Sequence, residues 1–439
     1  MTTDEDDAQS RPRLVTLQIP AFKSIRDQVL DISSLTILVG KNGSGKSNVI
    51  EALAALARLA TGDRIVDALA EGADVSEPIR GLAQGSVPIG APSFSLGCDV
   101  VVGAATYSYA VTIEASDADA RVVSERLHGV NAPYGGPRGR TGVLLQPAGQ
   151  EQEGAFVAQV FNGARGRDPR HAFRSDRLAI TQLSNRLPES RASDLVINAA
   201  QAIRQALSEV AVIDPVPQRM REYVRSGDKD LRRSGDNLSA TINAMRVSDK
   251  AAFQELARLL GQASESGVSG IKVERTKFDD VMFAVREHGV VVPARLMSDG
   301  LLRLAAIATA VLTSGSRRGR RVLVIEELEN GLHPWLARDV LTFLKAAAEE
   351  RDVVLIITTH SPTLMDALTA EEHVGVVLVS RDGGGRGTRL VRLTQAPGYV
   401  DATLAGPLGS MLETGTVGDV SDDLTRRAMA DVFVSLLGA

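Results

Sequence analysis

The chain has 439 residues, of which 44% are hydrophobic and 23% charged, and its formal net charge is −5. This balance is typical of a globular protein and excludes a chain that is mainly disordered. The one cysteine, Cys98, excludes an internal disulfide, and it also excludes a zinc ribbon or iron–sulfur cluster built by this chain alone. The longest uncharged apolar run, Leu304–Thr313, is about half the roughly twenty residues that a membrane helix needs. We therefore expect no membrane partner and, because no basic and apolar leader is visible, a cytoplasmic location.

The first part of the chain predicts an acidic tail followed by one α/β unit. Residues 1–12 are rich in acidic and polar side chains, and we expect them to be disordered. In residues 13–93, the β-rich run Leu35–Val39 precedes a glycine-rich turn. A helix over about Ser47–Leu59 follows, with its apolar residues on one broad face. The order strand, turn and helix predicts an N-terminal half built on an α/β unit.

The middle of the chain predicts two regions of different character. Residues 94–161 alternate with a period of two between clusters of Gly, Asp and Pro, which predicts an antiparallel β subdomain. Residues 162–265 predict a mostly helical insert, because Asp194–Val210 and Asp249–Leu260 both show apolar residues at helical spacing.

The C-terminal part returns to alternating strands and helices. We expect residues 266–394 to complete the α/β domain and residues 395–439 to form a tail. The predicted elements, in order, are strands Ile271–Val273 and Val281–Val285, a helix over Ser298–Thr313, strand Val322–Ile325, helix Leu336–Glu349, strand Val353–Thr358, and a hairpin of Val374–Ser380 with Leu390–Leu393. Buried-type strands separated by helices predict an α/β class with a mostly parallel central sheet.

The turn after Leu35–Val39 carries the most informative motif of the chain, since it fits the phosphate-binding pattern GxxxxGK[ST]. Glycines let the backbone wrap around phosphates with its N–H groups inward, and the helix N-terminus adds a positive dipole end. We expect Lys46 to reach the β- and γ-phosphates of a nucleotide and the Ser47 hydroxyl to bind magnesium. The expected nucleotide-binding residues of this phosphate loop are Gly40, Lys41, Asn42, Gly43, Ser44, Gly45, Lys46, Ser47 and Asn48.

A second constellation follows the apolar strand Val322–Ile325, which ends in the carboxylates Glu326 and Glu327. In an open α/β sheet, ligands bind at the carboxyl ends of the strands. One carboxylate there can hold hydrated magnesium, and the next can orient a water molecule for attack on a γ-phosphate. An acidic pair after a strand is often only a solvated turn, but beside a phosphate loop it predicts a hydrolytic site.

Two further segments stand close to these strands in the sequence. His360 follows the strand Val353–Thr358, and this position suggests a γ-phosphate contact, although a lone histidine is more often structural. The segment Met297–Arg303 opens a helix with Ser298 and Asp299, which are good N-terminal residues. Its place just before the acidic strand is the order in which an ABC-type signature occurs.

Together the four segments resemble those of the ABC-class P-loop ATPases of the SMC/RecF/OLD-like branch. More narrowly, the chain is similar to standalone AAA-family predicted ATPases related to the OLD (overcoming lysogenization defect) proteins, without their nuclease domain. The matching segments are Gly40–Asn48, Met297–Arg303, Ile325–Pro334 and Thr358–Pro362. The resemblance implies a P-loop NTPase fold like that of ABC and SMC heads, and an enzyme that hydrolyses ATP with Mg²⁺.

The resemblance also implies a role for each residue of the phosphate site. Lys46 and Ser47 would belong to the Walker A loop, and Glu326 would be the Walker B acid that holds magnesium. Glu327 would be the catalytic base, and His360 would be the switch histidine. In this sequence the Walker B acid is Glu rather than the common Asp, which lengthens the reach of the carboxylate toward the metal.

Two assignments concern residues outside the strand ends. By resemblance, Ser298, Asp299 and Gly300 would form a signature that contacts the nucleotide held by a second copy. A glutamine that ligates magnesium is also expected, and two positions compete for this role. Gln182 is the first choice, and Gln146 is the alternative.

The partners and the process follow from the resemblance and from charge. Nucleotide shared between two heads implies a homodimer that serves DNA repair or anti-phage defence. The alternatives are a nucleotide-gated scaffold that controls a separately encoded effector such as a nuclease, and a transporter subunit, which the form of the motifs disfavours. Arginine clusters at Arg165–Arg177, Arg219–Arg233 and Arg317–Arg321 predict contacts with DNA phosphates, although such clusters are often solvated surface.

Overall fold

The structure is a computed structural model that describes residues 11–70, 78–116, 119–131, 141–149, 154–264, 267–315, 321–381, 387–400, 403 and 407–413. Three predicted features lie wholly or mostly outside the described residues. They are the acidic tail 1–12, the turn of the C-terminal hairpin and the tail 395–439.

Strands and helices contribute similar shares of the regular structure in the described residues. The strands are β1 (Arg13–Phe22), β2 (Ile25–Asp31), β3 (Leu35–Val39), β4 (Ser93–Val102), β5 (Ala105–Ala115), β6 (Ala120–Val130), β7 (Thr141–Pro147), β8 (Ala155–Val160), β9 (Arg170–Arg174), β10 (Val210–Ile213), β11 (Val224–Arg225), β12 (Val268–Arg275), β13 (Asp280–Glu287), β14 (Val290–Pro293), β15 (Val322–Ile325), β16 (Val354–Thr359), β17 (Val376–Arg381) and β18 (Thr388–Arg392). The α-helices are α1 (Lys46–Leu59), α2 (Ile65–Ala70), α3 (Leu82–Ser86), α4 (Arg191–Ser208), α5 (Leu238–Ser248), α6 (Lys250–Ala263), α7 (Asp299–Thr313), α8 (Pro334–Glu350), α9 (Pro362–Asp366) and α10 (Leu408–Glu413).

One large sheet runs through the described residues in the order β10-β15-β16-β3-β17-β18-β2-β1-β4-β5-β6-β7-β8-β9. Its first five strands are parallel. Most of the remaining pairs are antiparallel. The α/β P-loop class is confirmed, but the expectation of a mostly parallel sheet holds only for these five strands, which include the three that carry the motifs, β3, β15 and β16. The predicted β subdomain continues this sheet, because β1 pairs with both β2 and β4.

Residues 162–265, the predicted helical insert, contain the helices α4, α5 and α6, but they also contribute three short strands, which were not predicted, to the two sheets. β9 extends the antiparallel meander by pairing with β8. β10 joins the parallel end of the sheet beside β15, and β11 pairs with β13 in a second, smaller sheet that also contains β12 and β14. The four residues of β10 directly follow helix α4, so the apolar period of that helix obscured the strand.

Two hydrophobic clusters cover the two faces of the parallel strands. Alternate residues of a strand point to opposite faces, so in β15 Val324 belongs to one cluster and Leu323 to the other. Helices α1 and α4 pack on the first face, and α7 and α8 pack on the second. The buried strands thereby hold their carboxyl ends in line: Ile325 lies opposite Ile357, and Thr359 lies opposite Val39. No helix among the described segments has the length and apolar character required to cross a membrane.

Candidate functional site

The segments singled out in the sequence meet at one edge of the sheet, where the parallel strands end. The phosphate loop follows β3, and the segment after β15, Glu326–Gly331, forms a tight turn that we call the acidic turn. His360 follows β16, which pairs with both of those strands. Carboxyl ends of adjacent parallel strands lie side by side, so this edge collects the polar residues that the separate motifs predicted.

The phosphate loop is closed around the amine of Lys46. The Nζ atom donates to the carbonyl oxygen of Gly40 at 2.5 Å and to that of Lys41 at 3.3 Å. Gly43 and Gly45 have φ angles of 78° and 113°. Both values lie in the left-handed region that favours glycine.

The hairpin of β17 and β18 packs against the phosphate loop. A Cβ atom on Gly45 would lie 2.2 Å from Oγ1 of Thr388 in β18, so only glycine fits there. Thr388 also donates to the carbonyl oxygen of Ser44 at 3.1 Å, and Arg381 in β17 donates to that of Gly43 at 2.8 Å. The loop therefore keeps its curve through contacts with a hairpin more than 330 residues away in the sequence.

The loop residues fit the phosphate groups of a nucleotide. The hydroxyl of Ser44 is buried, and it neither donates nor accepts a hydrogen bond within the described part of the chain. Space is open beside Gly43, where an added Cβ atom would meet nothing within 4 Å. Backbone N–H groups at the start of α1, with the cation of Lys46, form a donor set suited to phosphate oxygens. Ser47 is half-buried at the first turn of α1.

Charge around Lys46 comes from the acidic turn. Burial lowers the pKa of Lys46, and the carboxylates of Glu327 and Glu329 oppose that shift. The charges of the two carboxylates thus offset part of the effect of burial on the amine. This arrangement pairs a phosphate-binding cation with carboxylates placed for metal or water chemistry.

Glu326 is held by an arginine from another part of the chain. Its Oε1 atom accepts a hydrogen bond from Arg233 at 2.5 Å. The Oδ2 atom of Asp214 lies 4.0 Å from Nη2 of the same arginine. Burial raises the pKa of Glu326 to about 6, although the charge of Arg233 lowers it. Within the described residues no cluster of three or more His, Cys, Asp or Glu side chains could enclose a metal. Magnesium bound with a nucleotide needs only one or two protein ligands, so Ser47 and Glu326 fit that requirement.

Glu327 adopts an uncommon backbone conformation with a φ angle of 46°. Its backbone N–H donates to Oγ1 of Thr358 at 2.8 Å, and its carboxylate accepts from the side chain of Asn330. Such a conformation costs a non-glycine residue about 1–2 kcal/mol and is found where surrounding contacts maintain it. The turn thereby directs a carboxylate toward the phosphate loop, as its charge effect on Lys46 indicates.

The signature segment packs against the acidic turn of its own chain. Ser298 caps helix α7 by accepting from the N–H of Leu301 at 3.3 Å. Arg221 donates to Oδ1 of Asp299 at 2.7 Å and fixes the start of the helix. A Cβ atom on Gly300 would lie 2.5 Å from the carbonyl oxygen of Gly331.

The structure corrects the assignment of Gln182 as a magnesium ligand. Its amide is bonded to the backbone of residues 174–178, and the neighbouring Arg177 donates to the carbonyl oxygen of Gly62. Gly62 follows the end of α1, about 20 Å from the phosphate loop for a helix of this length. The alternative, Gln146, lies in the meander and donates to Gln159 at 3.1 Å.

Three residues near the site were not predicted from the sequence. Asp214 follows β10, and Arg233 pairs with Glu326 as described above. Glu329 accepts from the backbone N–H of His360 at 2.6 Å, and its Oε1 atom lies 2.9 Å from Nδ1 of the ring. A signal for Asp214 was present, since Val210–Ile213 is an apolar run that ends in an acid, as β15 does.

Many of the arginines expected to bind DNA are engaged within the chain. Arg174 and Arg177 pair with Asp176, Arg221 pairs with Asp299, and Arg232 pairs with Asp228 and Asp236. Of the cluster arginines that the structure describes, six are exposed: Arg165, Arg167, Arg170, Arg174, Arg219 and Arg225. Most of the third cluster lies outside the described residues, and Arg321 pairs with Asp352.

Comparison with protein families gives two matches. The model described as "AAA domain, putative AbiEii toxin, Type IV TA system" matches residues 147–366, which is half of the chain. The model described as "AAA ATPase domain" matches residues 13–87. The first range contains the signature segment, the acidic turn and His360, and the second contains the phosphate loop. Among curated proteins, none matches the chain significantly.

Comparison with solved structures gives distant likenesses to SMC heads. The SmcHead bound to the C-winged helix domain of ScpA has a TM-score of 0.43 and 15% identity, covering 87% of this chain and 99% of that one. The SMC head domain from Thermotoga maritima has a TM-score of 0.35 and 15% identity, covering 87% and 98%. An Smc head domain bound to the C-terminal domain of ScpA derived from Pyrococcus furiosus has a TM-score of 0.41 and 14% identity, covering 87% and 97%.

Proposed function

Because the chain belongs to the AAA-domain ATPase family whose model matches residues 147–366, we propose that it binds ATP at the phosphate loop and hydrolyses it in a dimer of two copies. One observation carries this proposal. The phosphate loop with Lys46, the acidic turn with Glu326 and Glu327, and His360 converge at the ends of three adjacent parallel strands. This combination of a cation, two carboxylates and a histidine around a phosphate cradle suits attack by water on a γ-phosphate.

Each residue has a proposed task. Lys46 and the N–H groups of the loop bind the β- and γ-phosphates, and the Ser47 hydroxyl with Glu326 holds magnesium, which supplies positive charge to the phosphate oxygens. Glu327 orients and deprotonates the attacking water, a role supported by its fixed backbone and by its charge effect on Lys46. His360 contacts the γ-phosphate.

The proposed dimer places the signature segment of one copy on the nucleotide of the other. One chain carries one phosphate loop and one signature, so a symmetric pair would form two composite sites. The N-terminus of α7, capped by Ser298, offers N–H groups and a positive dipole end to phosphate oxygens. Asp299 and Gly300 shape this end of the helix.

For the process that hydrolysis drives, we propose control of a separate effector protein in defence or repair. Among the cluster arginines that the structure describes, Arg174, Arg177, Arg221, Arg232, Arg233 and Arg321 pair with carboxylates of the same chain, which reduces the positive charge they offer to DNA. The matched family description names a type IV toxin–antitoxin system, which supports a role in defence. Direct DNA binding remains the second candidate, carried by the exposed Arg165, Arg167 and Arg170. It predicts affinity that falls steeply with salt and shows no sequence preference.

The test compares Glu327→Gln with Lys46→Ala. Glu327→Gln keeps the size of the side chain but removes the base, so ATP binding should persist while turnover falls at least roughly ten- to a hundredfold. This variant should accumulate as a dimer in the presence of Mg²⁺ and ATP. Lys46→Ala should lose ATP binding and the ATP-dependent dimer. The measurements are phosphate release and size-exclusion chromatography with light scattering, with and without ATP.

The control is Lys250→Ala, which removes an exposed lysine at the start of α6 and should behave like the unmodified protein. Wild-type turnover in Glu327→Gln would contradict the proposed base. An ATP-dependent dimer in Lys46→Ala would contradict the composite site.

A further inference from the structure

The contact between Glu329 and His360 joins the ends of two neighbouring strands. Glu329 stands in the acidic turn after β15, and His360 follows β16, 31 residues further along the chain. One carboxylate oxygen, Oε1, accepts from the backbone N–H of His360 at 2.6 Å and lies 2.9 Å from its ring atom Nδ1. Two contacts to one oxygen fix both the position of the histidine backbone and the orientation of the ring.

The two side chains differ in exposure in a way that suits this task. The Glu329 side chain is 12% exposed, whereas the His360 side chain is 43% exposed. The carboxylate is therefore part of the packed turn, and the ring extends from it into open space at the nucleotide edge. His360 follows Thr359, which lies opposite Val39, the last residue before the phosphate loop, and the charge of Glu329 also acts on Lys46.

The chemistry of the carboxylate determines which ring nitrogen carries hydrogen. An ionised carboxylate accepts hydrogen bonds and donates none, so Nδ1 of His360 must be the donor. The other nitrogen, Nε2, is then the atom left for the nucleotide. A phosphate oxygen also only accepts, so a contact from Nε2 needs the doubly protonated ring, whose positive charge the carboxylate of Glu329 offsets.

We propose that Glu329 is a positioning residue for the ATPase reaction: it holds His360 with Nδ1 protonated and directs Nε2 at the γ-phosphate. This inference rests on the proposed function for its consequence, but the Glu329–His360 contact itself does not depend on ATP. Where a carboxylate orients a metal-ligating histidine through its second nitrogen, its removal typically costs about ten- to a hundredfold in activity, and we expect an effect of the same order for Glu329.

The direct test observes the ring in the full-length protein without nucleotide. The sample is labelled with ¹⁵N-histidine, and long-range ¹H–¹⁵N correlation spectra distinguish the two neutral tautomers. His360→Asn identifies the His360 signal among those of the six histidines. In the unmodified protein the neutral ring should be protonated at Nδ1. Glu329→Ala should shift it toward the Nε2–H form, whereas Glu329→Gln, which keeps an accepting oxygen, should retain the Nδ1–H form.

The second measurement separates positioning from folding and from binding. For Glu329→Ala, kcat should fall roughly tenfold or more, while KM and the Kd for Mg·ATP change less than about threefold because the phosphate loop is intact. Glu329→Gln should recover part of kcat. Glu349→Ala, at an exposed position on α8, is the matched control and should change neither the spectrum nor turnover.

The outcomes distinguish this inference from the proposed function. An Nε2–H ring in the unmodified protein, or an unchanged ring signal in Glu329→Ala, would overturn the inference even if the protein hydrolyses ATP. A protein that does not hydrolyse ATP but shows the expected tautomers would refute the proposed function and leave the Glu329–His360 contact established. If Glu329→Ala does not fold, the ring signal of Glu329→Gln decides: an Nε2–H form there refutes the inference.

Discussion

Replacing Gly300 with alanine tests whether the signature segment has a structural task within its own chain. The added Cβ atom would lie 2.5 Å from the carbonyl oxygen of Gly331, about 0.9 Å closer than the 3.4 Å at which ordinary contact begins. The neighbour is backbone, so either α7 or the acidic turn must move. Overpacking of this kind costs about 1–3 kcal/mol. The better helix propensity of alanine returns only about 0.5–1 kcal/mol.

We therefore expect Gly300→Ala to reduce the free energy of unfolding by about 1–2 kcal/mol. Equilibrium unfolding in urea, followed by circular dichroism, measures the change as a lower midpoint. The matched control is Gly270→Ala in β12, where a new Cβ atom meets nothing within 4 Å. That variant should stay within about 0.5 kcal/mol of the unmodified protein.

The same substitution should also affect chemistry within one chain. Gly331 ends the turn that begins with Glu326 and Glu327, so displacement of its carbonyl oxygen would shift the proposed base. Phosphate release by Gly300→Ala should therefore be slower than that of the unmodified protein. If Gly300→Ala unfolds at the same urea concentration as the unmodified protein, the close packing of Gly300 against Gly331 does not contribute to stability as argued.

Two further predictions concern buried polar groups. Thr358→Val removes the acceptor for the N–H of Glu327 and should cost about 1–3 kcal/mol, as an unsatisfied buried donor does; Thr358→Ser should recover most of it in urea unfolding. Burial raises the pKa of Glu125 to about 7, against the opposing hydrogen bonds from Ala179 and Ile180. The folded state then holds a proton that the unfolded state has lost, so stability should fall as pH rises from about 4.5 to 7, by up to about 3 kcal/mol. Unfolding midpoints across this pH range should show that slope in the unmodified protein and a much flatter one in Glu125→Gln, and equal slopes would contradict the assignment.

The local patterns of the sequence predicted most of the motif-bearing elements. The strand Val322–Ile325 has the predicted bounds, and α1 begins at Lys46, one residue before the predicted start. Both rest on short-range causes: a run of β-branched and aliphatic residues, and glycines that permit the left-handed turn before the helix. The P-loop class and the family, expected from these motifs, are confirmed by the fold and by the family matches.

The residues that complete the site depend on contacts distant in sequence. Arg233 reaches Glu326 across 93 residues, and Thr388 supports the phosphate loop across 344 residues. Neither arginine nor threonine carries a local pattern that distinguishes such a role from an ordinary surface position. The misassigned Gln182 illustrates the same limit, because the resemblance implied a glutamine ligand without specifying its position, and the fold buries Gln182 against backbone carbonyls.

Strand pairing shows the difference between what the sequence determines and what only the tertiary structure determines. Periodicity identifies a strand from its own residues, but its neighbours in the sheet are determined by packing of both faces and by the register of distant segments. For this reason the sequence alone identified the phosphate loop, the acidic pair and His360 as candidates for phosphate chemistry. Only the tertiary structure, by placing β3, β15 and β16 side by side, decided that these groups share one site and that Glu329 contacts the ring of His360.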